Sequence, residues 1–461
     1  MFMRPSNQAA RDQLLSVLGR MPRASAPVLA KALNVSVRSL HRLLAELPVE
    51  RWVCAGETRR TRYARRRALR GFSIDIPLYE VNPVGEVKLL SQLALLHPEG
   101  SLMPLDASPW PVPPESRDGW WDGLPYPLYD IRPQGFIGRQ LAHAQHQRLG
   151  VSSNPNEWND DDIVFVLSHS GSDVSGNLLL GNDAYKLWLD TKLAPLAPAS
   201  EARLGEHYTE LAEEALMGGL AASSAAGEFP KFTALRQHGH ATPHVLVKFS
   251  GGAESAAERR WADLLVCEHL ALECAATLPG LASARSRVVQ HGARTFFEAE
   301  RFDRIGLHGR LPLCSLDSLS HALLGSGSTD WTLLAAQLQG LGLVDNGTVH
   351  AVELLWWFGR LIGNTYMHPG NLSFHIARVL QLAPAYDMLP MMYAPLPGGE
   401  VPPREFIPAL PLPAQRGVWD IACSAALLFW HQASTDPRIS EAFQSVCDTN
   451  HRRLNEILTR M

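Results

Sequence analysis

Four side chains able to act on phosphate groups lie close together in the C-terminal part of the sequence. Asn364, His368 and Asn371 follow the spacing N-x3-H-x2-N within LIGNTYMHPGNLSF, and Asp387 follows within LAPAYDMLP. The first stretch comes after an apolar segment with helical spacing, and the second comes after a strand-like stretch, so both are predicted to be loops. A loop asparagine followed by an aspartate is the pair that phosphoryl transfer uses to hold Mg²⁺ on phosphates.

A lysine at the end of an apolar strand is the second candidate. In HVLVKFS, residues 245–247 predict a buried strand that ends in Lys248. Burying an ammonium is costly unless it is paired, and a lysine so placed can neutralise the phosphates of a nucleotide. The alternative is an edge-strand lysine that reaches solvent. The helix predicted for residues 256–275 offers Asp263 or Glu268 as the paired acid.

The segment FFEAERFDR comes after the lysine-bearing strand, at the place along the chain where a protein kinase has its hinge. Residues 296–299 predict a strand, and Glu300, Phe302 and Asp303 come directly after it. At this place a kinase backbone meets the adenine, and a nearby acid meets the ribose. A strand that ends in an ion-paired surface turn is the plainer interpretation.

A loop of small residues is the weakest of the four motifs. The stretch AASSAAGEFPKF contains Ser223, Ser224 and Lys231. Small residues let backbone N–H groups approach phosphates, although such loops are often only turns.

Charge is distributed unevenly along the 461 residues. Residues 1–71 contain 15 Lys and Arg against four acids, a net of +11 in a chain whose overall charge is −4. Such a division predicts a nucleic-acid-binding end on an acidic body. The six cysteines show no C-x-x-C pair, which favours buried free thiols over a metal site.

Within the basic end, SAPVLAKALNVSVRSLHRLLAEL predicts two short helices separated by a turn, with Ser25 and Ser36 as caps. This spacing is similar to a helix-turn-helix, whose second helix enters the major groove of DNA. The arginine-rich stretch that follows predicts a two-stranded wing on phosphates. The predicted base contacts are Arg38, Ser39 and Arg42, and the predicted phosphate contacts are Arg59, Arg60, Arg62 and Arg65. A helical cap with a charged surface is the alternative.

The four motifs, taken in order, resemble the HipA family of serine/threonine kinases, which are toxins of bacterial toxin–antitoxin pairs. The family loop reads N-x-D-x-H-x-x-N, and ERFDR also resembles the family sequence. LIGNT-M-H-GNLSF, LAPAYDMLPM and the basic N-terminal end are most similar to the YjjJ-type branch. The resemblance covers residues 72–461 in outline and is most specific in the last two motifs.

The resemblance implies a role for each matching residue. Lys248 is expected to bind phosphates, and Lys231 and Asp303 to help bind ATP, with Glu300 and Phe302 at the adenine. Asn371 and Asp387 are expected to hold Mg²⁺, and His368 to brace the catalytic loop. The loop with Ser223 and Ser224 is expected to cover the nucleotide. ATP and Mg²⁺ are thus the expected cofactors.

One residue departs from the family pattern. Tyr366 occupies the position of the catalytic aspartate, and a neutral phenol does not replace a carboxylate base at pH 7. The chain is a natural pseudokinase, or a nearby acid substitutes, or this copy carries an inactivating change. Two functions stay open: a toxin-like kinase, impaired as written, and an ATP-binding regulator that acts on DNA.

The expected fold class is α+β: an N-terminal winged helix-turn-helix and a kinase-like body with a mixed N-lobe and an all-helical C-lobe. The expected domains are residues 1–71 for DNA binding, 72–205 for an α+β subdomain, 206–305 for the N-lobe and 306–461 for the C-lobe. DNA, a protein substrate, an antitoxin and a second copy are the expected partners. No apolar run long enough to span a bilayer is present, so we expect a cytoplasmic protein.

Overall fold

A computed structural model gives the structure of residues 5–71, 75–106, 108–195, 198–217, 229–237 and 239–461. These residues form a mixed helix and sheet structure. No helix in the ranges described combines the length and apolar character needed to cross a bilayer. Ser223 and Ser224 lie outside these ranges.

Residues 5–65, named here the head, form three helices and a two-stranded antiparallel sheet. These elements are α1 (Pro5–Arg20), α2 (Ala26–Ala32), α3 (Val37–Glu46), β1 (Trp52–Ala55) and β2 (Arg62–Arg65). Leu18, Leu29 and Leu40 are fully buried in a small core that the three helices share. The Ser36 hydroxyl accepts a hydrogen bond from the Ser39 amide and so caps α3.

The head is docked firmly on the next region of the chain. The Arg67 amide donates to the Leu95 carbonyl at 2.8 Å, and the His97 amide donates to the Arg65 carbonyl at 2.9 Å. An apolar cluster covers the junction; its buried members are Val53, Ala64, Ala94, Leu96, Leu102 and Trp120. The two-stranded sheet is therefore anchored to the body.

The middle region is built on a five-stranded antiparallel sheet with the strand order β6-β5-β4-β3-β7. Its elements are β3 (Ile76–Val81), β4 (Val87–Leu95), β5 (Ser101–Leu102), β6 (Trp120–Trp121), α4 (Gly135–Leu149), α5 (Asp160–Ser170), β7 (Leu178–Leu180) and α6 (Asn182–Leu193). Arg67 and Arg70, which follow the head, form ion pairs with Asp161 and Asp162 in the first turn of α5. Acids are favourable there because of the helix dipole.

A four-stranded antiparallel sheet, ordered β10-β11-β9-β8, forms the next region. Its elements are α7 (Leu204–Met217), β8 (Lys231–Leu235), β9 (His244–Phe249), α8 (Ala256–Ala275), β10 (Ser286–His291) and β11 (Arg294–Glu300). The long helix α8 contacts β11 and is largely buried. It can therefore present side chains to the middle of the sheet.

The C-terminal region is mostly helical, but the expectation that it is all helical is wrong. After the short strands β12 (Arg304–Ile305) and β13 (Gly309–Arg310), the elements are β14 (Leu313–Ser315), α9 (Leu316–Leu319), α10 (Trp331–Gly340), α11 (Asn346–Leu361), β15 (Ser373–His375), β16 (Gln381–Leu382), α12 (Arg416–Thr435) and α13 (Glu441–Arg460). Strands β14, β15 and β16 form a sheet. Strand β15 follows the loop of residues 364–371, and β16 precedes the loop that contains Asp387. The sheet therefore supplies hydrogen-bond partners to the backbone beside both loops.

Candidate active site

Lys248 lies in the centre of the site. Alternation along β9 buries Val247 and Phe249 in one apolar cluster, and Lys248 points to the other face of the sheet. Its side chain is buried, and its Nζ donates to both carboxylate oxygens of Glu268, at 2.6 and 2.8 Å. It also donates to Asp387 Oδ1. One ammonium thus joins β9, α8 and the loop after β16.

Of the two acids that the sequence offered, Glu268 is the partner of Lys248. Asp263 lies more than one turn earlier on α8, and its carboxylate accepts from the amide and hydroxyl of Ser440, both at 2.7 Å. Asp263 therefore fixes the start of α13, and Glu268 is the one of the two acids that is paired with Lys248.

The two carboxylates that share Lys248 differ in how readily they hold a proton. Burial acts to raise the pKa of Asp387, but the charges of Lys248 and Lys231 and the hydrogen bond from Lys248 together outweigh burial and lower the pKa. Burial of Glu268 outweighs the effect of Lys248, and the pKa of Glu268 rises to about 7. The pKa of Lys248 is raised because the two carboxylates outweigh its own burial. Glu268 is thus the carboxylate that takes up a proton more readily.

The backbone around Asp387 has an unusual conformation. Asp387 has a φ of +53°, in the left-handed region that few residues other than glycine adopt. The side chain of Asn364 donates from Nδ2 to the backbone carbonyl of Asp387 at 3.2 Å and so supports this conformation. Asn364 carried no assigned role in the sequence, although its place in the N-x3-H spacing is a signal for it.

The loop of residues 364–371 is held by two asparagines. Asn364 Oδ1 accepts from the Tyr366 amide at 3.0 Å, and Asn371 Nδ2 donates to the Tyr366 carbonyl at 2.9 Å. The backbone of Tyr366 is therefore fixed on both sides, whereas its side chain is 46% exposed. Asn371 Oδ1 is the amide atom left to face a cation.

His368 does not supply the missing base. Its Nδ1 accepts a hydrogen bond from the Gly370 amide at 3.1 Å. A neutral imidazole that accepts at Nδ1 carries its proton on Nε2, so neither nitrogen has a lone pair for a substrate proton. The His368 ring meets the Tyr366 ring edge-on, with centroids 5.1 Å apart. His368 is thus in contact with both Tyr366 and Gly370 of the same loop.

The two residues expected at the adenine, Glu300 and Phe302, lie in different surroundings. The Phe302 ring packs on Tyr386, the neighbour of Asp387, with centroids 5.5 Å apart. The Glu300 carboxylate is held by Arg236 and by the His240 amide. These contacts leave only the Phe302 ring beside the loop that carries Asp387.

The Asp303 carboxylate is enclosed rather than left to contact a ribose. It accepts from Arg301, from Arg304 and from the Gly176 amide. No local pattern predicts the contact with Gly176, because that residue lies in a different region of the fold.

Lys231 lies opposite Lys248 in the pairing of β8 with β9. Its charge helps to lower the pKa of Asp387, so it lies near the same carboxylates. Two lysines therefore provide positive charge at this site.

The donor set fits Mg²⁺ on a phosphate. The Asp387 carboxylate and Asn371 Oδ1 are oxygen ligands of the kind that Mg²⁺ prefers, with phosphate oxygens completing the shell. No group of three or more His, Cys, Asp or Glu able to hold a metal occurs in the ranges described. A metal at this site would therefore depend on a bound phosphate.

The predicted DNA contacts fall into two groups. Arg38 and Arg42 are exposed on α3, and Ser39 is tied to Ser36. In the head's sheet, Arg60 pairs with Asp118 of the middle region at 3.4 Å, and Arg62 donates to its neighbours' carbonyls. Arg59 is exposed and Arg65 is half-buried. Part of the predicted wing thus docks the head on the body.

The fold and site define a HipA-like protein. Residues 223–452 match the family described as the HipA-like C-terminal domain. A HipA structure from the Shewanella oneidensis MR-1 toxin–antitoxin system, solved with HipB and operator DNA, superposes with a TM-score of 0.51 at 16% identity. It covers 83% of this chain and 97% of that chain. At this identity the likeness shows the fold.

A closer relationship is shown by sequence. Residues 73–189 match the family described as YjjJ-like toxin, middle domain. The chain is 34% identical to the toxin YjjJ of Escherichia coli strain K12 over 448 residues, which covers 97% of this chain and 98% of that protein. The chain belongs to the YjjJ-like toxin family.

The raised pKa of Glu268 predicts a pH-dependent stability. Because its pKa rises from 4.5 to about 7 on folding, folding favours the protonated form. This stabilisation is complete below the unfolded pKa and is lost as the pH rises through about 7, a change on the order of 1–3 kcal/mol. Thermal unfolding of the chain and of Glu268→Gln, measured between about pH 5 and about pH 8, should show this loss only in the chain itself.

The matched control is Glu214→Gln, since Glu214 is an exposed glutamate on α7, away from the site. This variant should keep the pH dependence of the parent chain. A Glu268→Gln variant whose unfolding midpoint follows that of the parent at every pH would contradict the assignment.

Proposed function

We propose that the chain binds Mg-ATP at Lys248, Asn371 and Asp387 and has the machinery of a serine/threonine protein kinase, with transfer impaired by Tyr366. The observation that carries the proposal is the sharing of the buried Lys248 ammonium by Glu268 and Asp387. A buried ammonium with two carboxylates, beside a loop asparagine, is the arrangement that phosphoryl transfer requires.

Each residue has a distinct part in this function. Glu268 holds Lys248 in place, and Lys248 neutralises phosphate charge once Asp387 turns to the metal. Asn371 uses its Nδ2 to hold the loop, so its Oδ1 and the Asp387 carboxylate would hold Mg²⁺. Bound Mg-ATP supplies the phosphoryl group. Phe302 would lie against the base of the nucleotide.

The step that this chain lacks is removal of the proton from the acceptor hydroxyl. Hydrogen bonds with the loop asparagines fix the backbone of Tyr366. Its phenol, however, does not act as a general base at neutral pH. His368 cannot substitute, because its Nδ1 is engaged by Gly370. Loss of a positioned base lowers the rate about 10²–10⁴-fold.

The second candidate is a DNA-binding regulator that binds ATP without consuming it. The exposed Arg38 and Arg42 on α3, together with Tyr366 at the base position, favour it. The head is proposed to be a winged helix-turn-helix. Helices α2 and α3 would form the helix-turn-helix, and the sheet of β1 and β2 would form the wing. A HipA relative was solved with HipB and operator DNA, which supports a search for an antitoxin partner and for a two-fold dimer on DNA.

Transfer of labelled γ-phosphate tests the kinase proposal. We expect little or no label on the chain itself or on a bacterial lysate, and a rise of about 10²–10⁴-fold in Tyr366→Asp because a base is restored. The blank is Tyr366→Asp combined with Asp387→Asn, which keeps the size of the side chain but removes the negative charge that would hold the metal.

Three outcomes separate the two functions. Label only in Tyr366→Asp means a kinase silenced at one position. Label in the chain as written, above the blank, means a working kinase with another base and contradicts the role given to Tyr366. Absence of label in every protein overturns the kinase proposal and favours the regulator.

DNA binding by α3 is tested with a duplex from upstream of the chain's own gene and a random duplex. Arg42→Ala should weaken binding by about 1–3 kcal/mol, because an exposed arginine on a recognition helix reaches bases. Arg60→Ala should weaken it less, since Arg60 is held by Asp118. Fluorescence anisotropy measures both, and equal losses for the two variants would contradict the assignment of α3.

A further inference from the structure

The segment directly after β11 is bound to the middle region of the chain by a group of charged side chains, named here the hinge clamp, in which Asp303, Arg304 and Arg310 are buried and Asp173 is 51% exposed. The clamp consists of Arg301, Asp303, Arg304 and Arg310 from one side and of Asp173 with the backbone of residues 172–176 from the other. The loop of residues 171–177 joins α5 to β7, so the clamp connects two regions that are far apart in sequence.

Asp173 lies where two guanidinium groups meet. Its Oδ1 accepts from Arg301 Nη1 at 2.9 Å and from Arg304 Nη2 at 2.8 Å. Burial acts to raise the pKa of Asp173, but Arg301 and Arg304 outweigh it and lower the pKa to about 2. Asp173 is therefore ionised at neutral pH.

The backbone of the same loop closes the clamp. The Gly176 amide donates to Asp303 Oδ2 at 2.8 Å, and Arg304 Nη1 donates to the Gly176 carbonyl at 2.9 Å. Arg310 Nη2 donates to the Ser172 carbonyl at 2.6 Å. The position of residues 301–304 is thus set by the middle region as well as by the sheet that contains β11.

The charges in the clamp are not balanced. Three guanidinium groups share two carboxylates, and Arg310 Nη1 is buried without a hydrogen-bond partner. Burial and the charge of Arg304 lower the pKa of Arg310 to about 9. Buried ion pairs add little net stability over apolar packing, so the clamp is better explained by the geometry that it fixes than by the stability that it adds.

The geometry that it fixes is that of Phe302. This residue lies between Arg301 and Asp303, and its ring packs on Tyr386 beside Asp387. Any movement of the backbone at residues 301 and 303 moves the ring. The clamp therefore connects the middle region to the candidate site through one aromatic side chain.

We infer that Asp173 is a positioning residue of the nucleotide site, which holds Phe302 where the base of ATP binds. The inference rests on the proposed binding of Mg-ATP. It assigns the middle region an indirect part in nucleotide recognition, through Phe302, and it explains why Asp303 faces that region rather than a ribose.

Equilibrium binding of two probes tests the inference: Mg-ATP, which has a base, and Mg-tripolyphosphate, which has none. Asp173→Asn keeps the size of the side chain and removes its charge. We expect it to weaken binding of Mg-ATP about tenfold and to leave binding of Mg-tripolyphosphate unchanged. Asp173→Glu should recover part of the loss.

The control is Asp183→Asn in the same region, because Asp183 is exposed and faces His169, at 3.4 Å, rather than the clamp. It should bind both probes as the parent does. Thermal unfolding of each variant shows that binding is measured on folded protein.

The outcomes separate the inference from the function on which it rests. A parent chain that does not bind Mg-ATP overturns both. A parent that binds, with Asp173→Asn binding equally well or losing both probes alike, overturns the inference alone. Loss of Mg-ATP binding alone supports it.

Discussion

The buried ammonium of Lys248 is the constraint around which the site is arranged. An unpaired charge in this position would be unfavourable by several kcal/mol (~2–5), so the fold must bring carboxylates to it. Glu268 reaches it from α8 and Asp387 reaches it from the loop after β16. Because these three groups come from three elements, satisfying one charge fixes the sheet, the long helix α8 and the loop that carries Asp387 relative to one another.

The same arrangement explains how position 366 can change without disturbing the site. The loop holds this residue by its amide and its carbonyl, through Asn364 and Asn371. Neither contact uses the side chain, so an exposed tyrosine fits the same backbone. The scaffold that we propose for nucleotide and metal is thus separate from the group that would remove a proton, and one can be kept when the other is lost.

Local sequence patterns predicted most of the helices and the candidate site residues. The contacts between residues far apart in sequence could not be predicted in this way. The pairing of Lys248 with an acid, the helices and short strands of the head, and the polar loops followed from spacing and burial. The choice between Glu268 and Asp263 depends on the rotation of α8 against the sheet, which spacing leaves open. The clamp on Asp303 and the docking of Arg60 on Asp118 join residues far apart in sequence. The sheet β14–β15–β16 was missed because its strands are only two or three residues long.

The most direct test of this account is the affinity of the chain, as written, for ATP with and without Mg²⁺, measured by calorimetry beside Asp387→Asn. If Lys248 and Asp387 form a nucleotide and metal site, ATP binds more tightly with Mg²⁺, and this gain disappears in Asp387→Asn. Absence of ATP binding, or an affinity that Mg²⁺ does not change, would contradict the account.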